Sequence, residues 1–168
     1  ELARQDASNY RLVNINCLIK EIEELAAIDA VPRGARIRLE LDEDLPDTWC
    51  DPIQIQQVIL NLIRNSVDAM DACGFRNGDV IKLCTSESDD GSAIISVVDC
   101  GTGISKVAAS DLFRPFSTHK RSGLGLGLSI SRSIVTAHGG QLDYYNNPVA
   151  GATFYLTLPG TAGEIEYD

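Results

Sequence analysis

Asn61 and Asn65 stand four residues apart, so a helix through them would place both carboxamides on one surface about one turn apart. An amide oxygen is a neutral donor that can complete an octahedral Mg²⁺ shell whose other ligands are water and nucleotide phosphates. Asp99 closes an apolar run (Ile94, Ile95, Val97, Val98) and opens Asp99-Cys100-Gly101-Thr102-Gly103. A carboxylate at a strand end can accept a hydrogen bond from an exocyclic amine such as that of adenine, and Gly101 and Gly103 leave room for a base to reach the main chain. In Gly123-Leu124-Gly125-Leu126-Gly127 three glycines lead into a helical pattern, where backbone N–H groups and the helix dipole suit phosphate oxygens. Between these stretches, Phe113, Pro115, Phe116 and Lys120 suggest a flap that docks by its rings, with Lys120 able to reach a terminal phosphate. Taken singly, each has a plainer reading: a solvated helix face, an Asp-Gly turn, a flexible loop, rings packed under a loop. The glycine stretch also lacks the Lys-Ser/Thr of a P-loop and comes too late in the chain for a dinucleotide fold.

These residues need elements to position them. Asp51-Pro52 is an N-cap followed by proline at the first helical position, and a long helix should follow. At about 100° per residue, Ile55, Val58, Ile59, Leu62, Ile63 and Met70 share one side, while Gln54, Gln57, Asn61, Arg64, Asn65 and Asp68 form a polar stripe about 100° wide. Apolar residues from Leu12 through Ile15, Leu18, Ile19, Ile22, Leu25 and Ala26 predict an earlier helix over 11–28, ended by Pro32 and Gly34. Ile37, Leu39 and Leu41 alternate with charged residues as in a half-buried strand, and Thr48-Trp49 suggests another short extended piece. Val80–Thr85 and Ala93–Asp99 read as a hairpin around Asp89-Asp90-Gly91. A second helix should run to Ala137 with Leu126, Ile130, Ile134 and Ala137 on one side, capped by Gly139-Gly140. Leu142–Tyr145 and Ala152–Leu158 then flank a turn at Asn146-Asn147-Pro148. The pattern predicts an α+β fold, a two-layer α/β sandwich with a mixed sheet packed on helices.

Composition limits the chemistry. At 168 residues there is room for one core, and the 44% hydrophobic content is that of a globular domain. Fourteen basic against 24 acidic residues give a net charge of −10, which repels polyanions and argues against nucleic acid as a partner. A small nucleotide stays possible, because a metal and oriented N–H groups neutralise phosphates locally. The five cysteines are scattered and form no CxxC pair, as expected of buried thiols in a reducing compartment. No run is long enough to cross a bilayer and no signal peptide is evident, so a cytoplasmic domain without direct membrane contact is expected.

In their order and spacing, Asn61/Asn65, Asp99-x-Gly101-x-Gly103, Phe113-x-x-Phe116 and the triple glycine resemble the N, G1, F and G2 boxes of the catalytic and ATP-binding domain of sensor histidine kinases. Gly151-Ala152-Thr153-Phe154 resembles the G3 box. The resemblance runs from about Val13 to Pro159, and Ile55-Gln56-Gln57-Val58 with Leu128-Ser129-Ile130-Ser131-Arg132-Ser133-Ile134 looks especially like the FixL-like group. It implies the ATP-binding fold of that family, ATP and Mg²⁺ as cofactors, Asn65 as metal ligand, and Asn61 as support for metal and phosphates. By the same resemblance, Asp99 recognises the adenine amine and the site includes Asp68, Ala69, Gly101, Gly103, Lys120, Gly123, Leu124, Gly125, Leu126, Gly127 and Thr153. Two departures stand out: His119 occupies a position where threonine is common, and the lid is short.

A histidine kinase needs a nucleophilic His on a helical hairpin, and neither His119, in the lid, nor His138, before Gly139-Gly140, fits. Residues 1–10 therefore read as the remnant of a dimerisation helix, 11–160 as the catalytic domain and 161–168 as a tail. The expected partners are a histidine-containing dimerisation domain of the same protein and, downstream, a response regulator; the fragment itself is expected to be a monomer. The rival readings are an ATP hydrolase or a Ser/Thr kinase of the same fold. The hydrolases carry a Glu one turn before the metal Asn, whereas this chain has Asn61, and an amide is not a general base.

Overall fold

The computed structural model describes residues 9–76, 78–115 and 127–160. The expectations for Phe116, His119, Lys120, Gly123, Leu124, Gly125 and Leu126, for residues 1–8 and for the tail 161–168 lie outside them.

Strand β1 (Arg11–Val13) precedes helix α1 (Ile15–Ala30), which is followed by β2 (Arg36–Glu40) and β3 (Thr48–Cys50). Next come α2 (Pro52–Cys73), β4 (Val80–Glu87), β5 (Ala93–Val98) and the short α3 (Lys106–Ala109), then α4 (Gly127–Ala137), β6 (Gln141–Asn146) and β7 (Ala152–Leu158). Five strands form a mixed sheet in the order β2-β4-β5-β7-β6, parallel only between β2 and β4, while β1 and β3 make a separate antiparallel pair. The helices cover one face. Ile81, Leu83, Ile95, Val97, Leu142, Phe154 and Leu156 point into that layer and meet Ile19, Ile22, Ile55, Ile59, Leu62 and Val135. Each such side chain removed from water contributes about 1.5–3 kcal/mol. The expected α/β sandwich is the observed architecture.

The long helix starts where the sequence places it. The Asp51 carboxylate accepts from the N–H groups of Ile53 (3.0 Å) and Gln54 (3.4 Å), satisfying two donors that have no intrahelical partner. It ends at Gly74, whose positive φ of 75° suits a residue without a side chain. The first helix differs from expectation. Residues 11–13 are a strand paired with Thr48–Cys50, and α1 begins only after Asn14, whose side chain accepts from Cys17 N–H at 3.0 Å. Leu12 lies three residues before Ile15, so a short strand mimics one more helical turn; Asn14, an N-cap residue, carries the contrary signal.

The face of α4 also differs. Ser131, Ile134, Val135 and His138 are buried, while Ile130 is 44% exposed. Two polar side chains turn inward because each has a partner there. Asn61 Nδ2 donates to Ser131 Oγ, and His138 Nε2 accepts from Asp51 N–H at 3.1 Å. The second nitrogen of His138, Nδ1, lies 2.8 Å from Ile134 O, so both ring nitrogens have backbone partners and the ring orientation is fixed. Tyr10 stacks on it with ring centroids 4.8 Å apart.

Candidate functional site

Helix α2 is the spine of the site. Asn61, Asn65 and Ala69 follow one another at four-residue spacing on one line, about 12 Å from first to last at 1.5 Å rise per residue. At the Ala69 end the loop after β5 presses on the helix, where a β-carbon on Gly101 would stand 2.7 Å from the Ala69 carbonyl carbon. At the Asn61 end α4 begins, where a β-carbon on Gly127 would stand 2.6 Å from Asn61 Oδ1. Glycine at both contacts lets the backbone approach the helix as no other residue would. The structure thus brings Asn61, Asn65, Ala69, Asp99, Gly101 and Gly127 onto one surface, although they come from three segments far apart in sequence.

Asp99 is 4% exposed and held by its backbone neighbours. Its Oδ1 accepts from Gly101 N–H at 2.9 Å and from Ala152 N–H at 3.1 Å. Both donors use the same oxygen, leaving Oδ2 as an acceptor for an incoming N–H. A buried carboxylate with one oxygen satisfied and the other available suits a fixed, directional donor such as a base amine.

The metal expectation can be tested on the donors present. No group of three or more His, Cys, Asp or Glu is arranged to hold a cation among the described residues. An ion here would rest on amide oxygens and on ligands brought by the nucleotide, which fits Mg²⁺ and fits Asn61 and Asn65 as neighbours on α2. The tight apposition of Gly127 to Asn61 leaves the N-terminal end of α4 beside those amides, a favourable place for anionic oxygens.

Two predicted site residues have protein partners in the structure. Asp68 pairs with Arg33 at 2.9 Å, and Asp71 joins the same guanidinium at 3.2 Å. The hydrogen bond that Arg33 donates to the Asp68 carboxylate, more than any other cause, raises the Arg33 pKa. Asp68 therefore ties α2 to the turn after α1. Thr153 is buried and pairs across the sheet with Val98, on the face away from the helices, and its hydroxyl donates to Asn147 Oδ1 at 2.6 Å. It is Ala152 that shares the inner face with Phe154 and Leu156. Gly103 marks the end of the Asp99 loop with φ 70°. Phe113 packs at the edge of the core with the Arg132 guanidinium 4.1 Å above its ring centre, a cation–π contact that fastens this segment to α4.

Sequence reasoning missed Ser131, Asn146 and Asn147. Ser131 was signalled only as a small polar residue at helical spacing from Ile134, and the two asparagines only as turn formers.

The family model for histidine kinase-, DNA gyrase B-, and HSP90-like ATPases matches residues 50–162. Sensor protein FixL of Bradyrhizobium diazoefficiens is 38% identical over 152 residues, covering 90% of this chain and 30% of that protein. The chain therefore spans less than a third of the length of that relative. Among solved structures, the catalytic domain of histidine kinase ThkA superposes with a TM-score of 0.77 at 30% identity, covering 89% of this chain and 95% of that one. Full-length ShkA, solved in complex with AMPPNP, superposes with a TM-score of 0.76 at 28% identity over 89% of this chain and 31% of that one.

Proposed function

Because the chain belongs to the family of histidine kinase-, DNA gyrase B- and HSP90-like ATPases, we propose that it binds Mg-ATP and presents the γ-phosphoryl group to a histidine on a dimerisation domain outside residues 1–168. The observation that carries this reading is the way α2 joins the Asp99 loop at Ala69 to the start of α4 at Asn61. A base read at one end and a phosphate tail at the other are then spanned by a single helix face.

In this reading Asp99 Oδ2 accepts from the adenine amine while its other oxygen stays fixed by Gly101 and Ala152. Asn65 holds the metal through its amide oxygen, and Asn61 supports metal and phosphates from a position set by Ser131. Mg²⁺, when bound, neutralises phosphate charge. Phosphoryl transfer asks a protein chiefly for positioning and charge compensation; these residues supply the positioning, and the ion they would hold supplies the compensation. By the family resemblance, Lys120 and the glycines at 123 and 125 would contact the phosphates. The AMPPNP bound in the ShkA structure supports a nucleotide as the ligand.

Transfer is favoured over hydrolysis by one residue. The position one turn before Asn65 is Asn61, whose amide is engaged with Ser131 and cannot take a proton from water. The phosphorylated histidine would then serve a response regulator, in a domain on the cytoplasmic side, with residues 1–10 continuing into the dimerisation helix and 11–160 forming a monomeric catalytic unit. Among the described residues no helix is long and apolar enough to cross a membrane. The test incubates the chain with labelled ATP and a separately made hairpin bearing the acceptor His. Acid-labile label on the hairpin is expected; release of free phosphate at the same rate with and without hairpin would favour the hydrolase reading.

A further inference from the structure

The turn between β6 and β7 plays no part in the reading above, yet it holds the Asp99 loop at both ends. Asn147 Nδ2 donates to the main-chain oxygen of Asp99 at 2.9 Å and to that of Ala150 at 3.3 Å. Its Oδ1 accepts the Thr153 hydroxyl, and its own N–H donates to Gly151 O at 2.9 Å. Asn146, one residue earlier, uses both ends of its amide on a single residue. Its Oδ1 accepts from Ile104 N–H at 2.8 Å and its Nδ2 donates to Ile104 O at 2.9 Å. That is the pair of bonds an opposed residue makes in an antiparallel ladder, here supplied by a side chain.

Asp99 and Ile104 bracket the loop that contains Gly101 and Gly103. The glycines are fitted to the two amides. Gly151 has φ 81°, and a β-carbon there would collide with the carbonyl oxygen of Asp99. Gly103 has φ 70°, and a β-carbon there would stand 3.0 Å from Asn146 Oδ1. Local turn stabilisation does not account for this, because the bonds to Asp99 and Ile104 cross 48 and 42 residues of sequence. A loop with two glycines has much conformational freedom to lose, whereas base recognition needs an acceptor held to within about 0.5 Å.

We propose that Asn146 and Asn147 are positioning residues that set the base specificity of the site by clamping the two ends of the Asp99–Ile104 loop. The proposal rests on the reading of Asp99 as the base-recognising group. Asn147 fixes the Asp99 peptide from outside the sheet, Gly101 and Ala152 fix Oδ1 from within, and the second carboxylate oxygen has one direction left to face. Adenine offers a donor to that oxygen; guanine offers a carbonyl at the same position and is rejected.

Calorimetric titration of the 168-residue chain with ATP, GTP and ADP in the presence of Mg²⁺ tests this. For Asn147→Ala, ATP affinity should fall about tenfold, the scale of one or two lost hydrogen bonds. GTP should change much less, so the ATP-to-GTP ratio shrinks, while the ATP-to-ADP ratio, which reports the phosphate end, stays as in the unaltered chain. Asn147→Asp keeps the acceptor for Thr153 but loses the donor to Asp99, and should narrow the ATP-to-GTP ratio as far as alanine does. Asn146→Ala should act in the same direction by about threefold, and decides the matter if Asn147→Ala does not fold. Folded variants that keep the ratio of the unaltered chain, or that lose ATP, GTP and ADP by one common factor, overturn the proposal. Absence of ATP binding by the unaltered chain would instead remove the reading of Asp99 on which it rests.

Discussion

Asn61 and Ser131 are joined by a hydrogen bond of 3.3 Å between the middle of α2 and the second turn of α4, with Gly127 packed against the same amide. The bond lets one helix report on the position of the other. Removing the Ser131 hydroxyl should cost about 1 kcal/mol of orientation, and Ser131→Ala is expected to weaken Mg-ATP binding about fivefold. Gly127→Ala should do more, since its β-carbon has only 2.6 Å to Asn61 Oδ1 and must displace the amide. Calorimetry on both variants checks the order; Gly127→Ala binding as tightly as the unaltered chain would mean that Asn61 does not face the phosphates.

Asn65 sits between the two ends of the site, and its expected role is metal-dependent. Asn65→Ala should abolish most of the gain in ATP affinity that Mg²⁺ provides, leaving binding in the presence of a chelator nearly unchanged. The measurement is the ratio of affinities with Mg²⁺ and with chelator. A ratio equal to that of the unaltered chain would assign the metal to another residue.

How far the sequence announces this site depends on the kind of signal. The cap at Asp51-Pro52, the apolar stripe of α2 and the Asp89-Asp90-Gly91 hairpin are local, and the structure has each of them in place. The inward face of α4 is not local. Apolar periodicity favours Ile130, yet Ser131 and His138 are buried because Asn61 and the Asp51 N–H lie opposite, and no pattern within residues 127–138 encodes partners 70 and 87 positions away. Strand parity explains Thr153: a one-residue step moves a side chain to the other face of the sheet, so Ala152 faces the helices and Thr153 does not. Asn146 and Asn147 look like turn residues for the same reason that they are useful, a short amide that reaches nearby main chain.

Asp99→Asn has a defined geometry because Oδ1 accepts from two backbone N–H groups. The amide oxygen must take that place, which puts the new NH₂ where Oδ2 was. A donor then faces the adenine amine, so ATP affinity should drop about 10- to 100-fold. GTP, whose carbonyl can accept from the same NH₂, should lose less or gain. Competition between the two nucleotides for the variant measures the shift, and unchanged discrimination would take base recognition away from Asp99.

Cys50 supplies a pH prediction at the root of α2. Burial, with the Asp51 carboxylate beside it as a smaller cause, pushes its thiol up from 9.0 to about 11. The sign follows from proton counting. Between these values the unfolded chain has released the proton and the folded chain still holds it, so unfolding gains from every rise in pH. The contribution of this thiol to stability is complete below about pH 9 and is lost progressively up to about pH 11. In denaturant melts the stability of the unaltered chain should therefore fall relative to that of Cys50→Ala with rising pH across that window, whatever their offset at pH 7. Alkylation gives a second check: at pH 8.5 the exposed Cys17 and Cys73 should react quickly, and Cys50 only at the rate of unfolding, because a buried thiol that keeps its proton is a poor nucleophile. Since Cys50 directly precedes the cap residue of α2 and pairs with Arg11 of β1, its slow labelling also times the opening of the junction that aims Asn61 and Asn65. Nucleotide should retard Cys50 labelling and leave Cys17 unaffected, and equal rates at all three thiols would show that this junction opens independently of the fold it anchors.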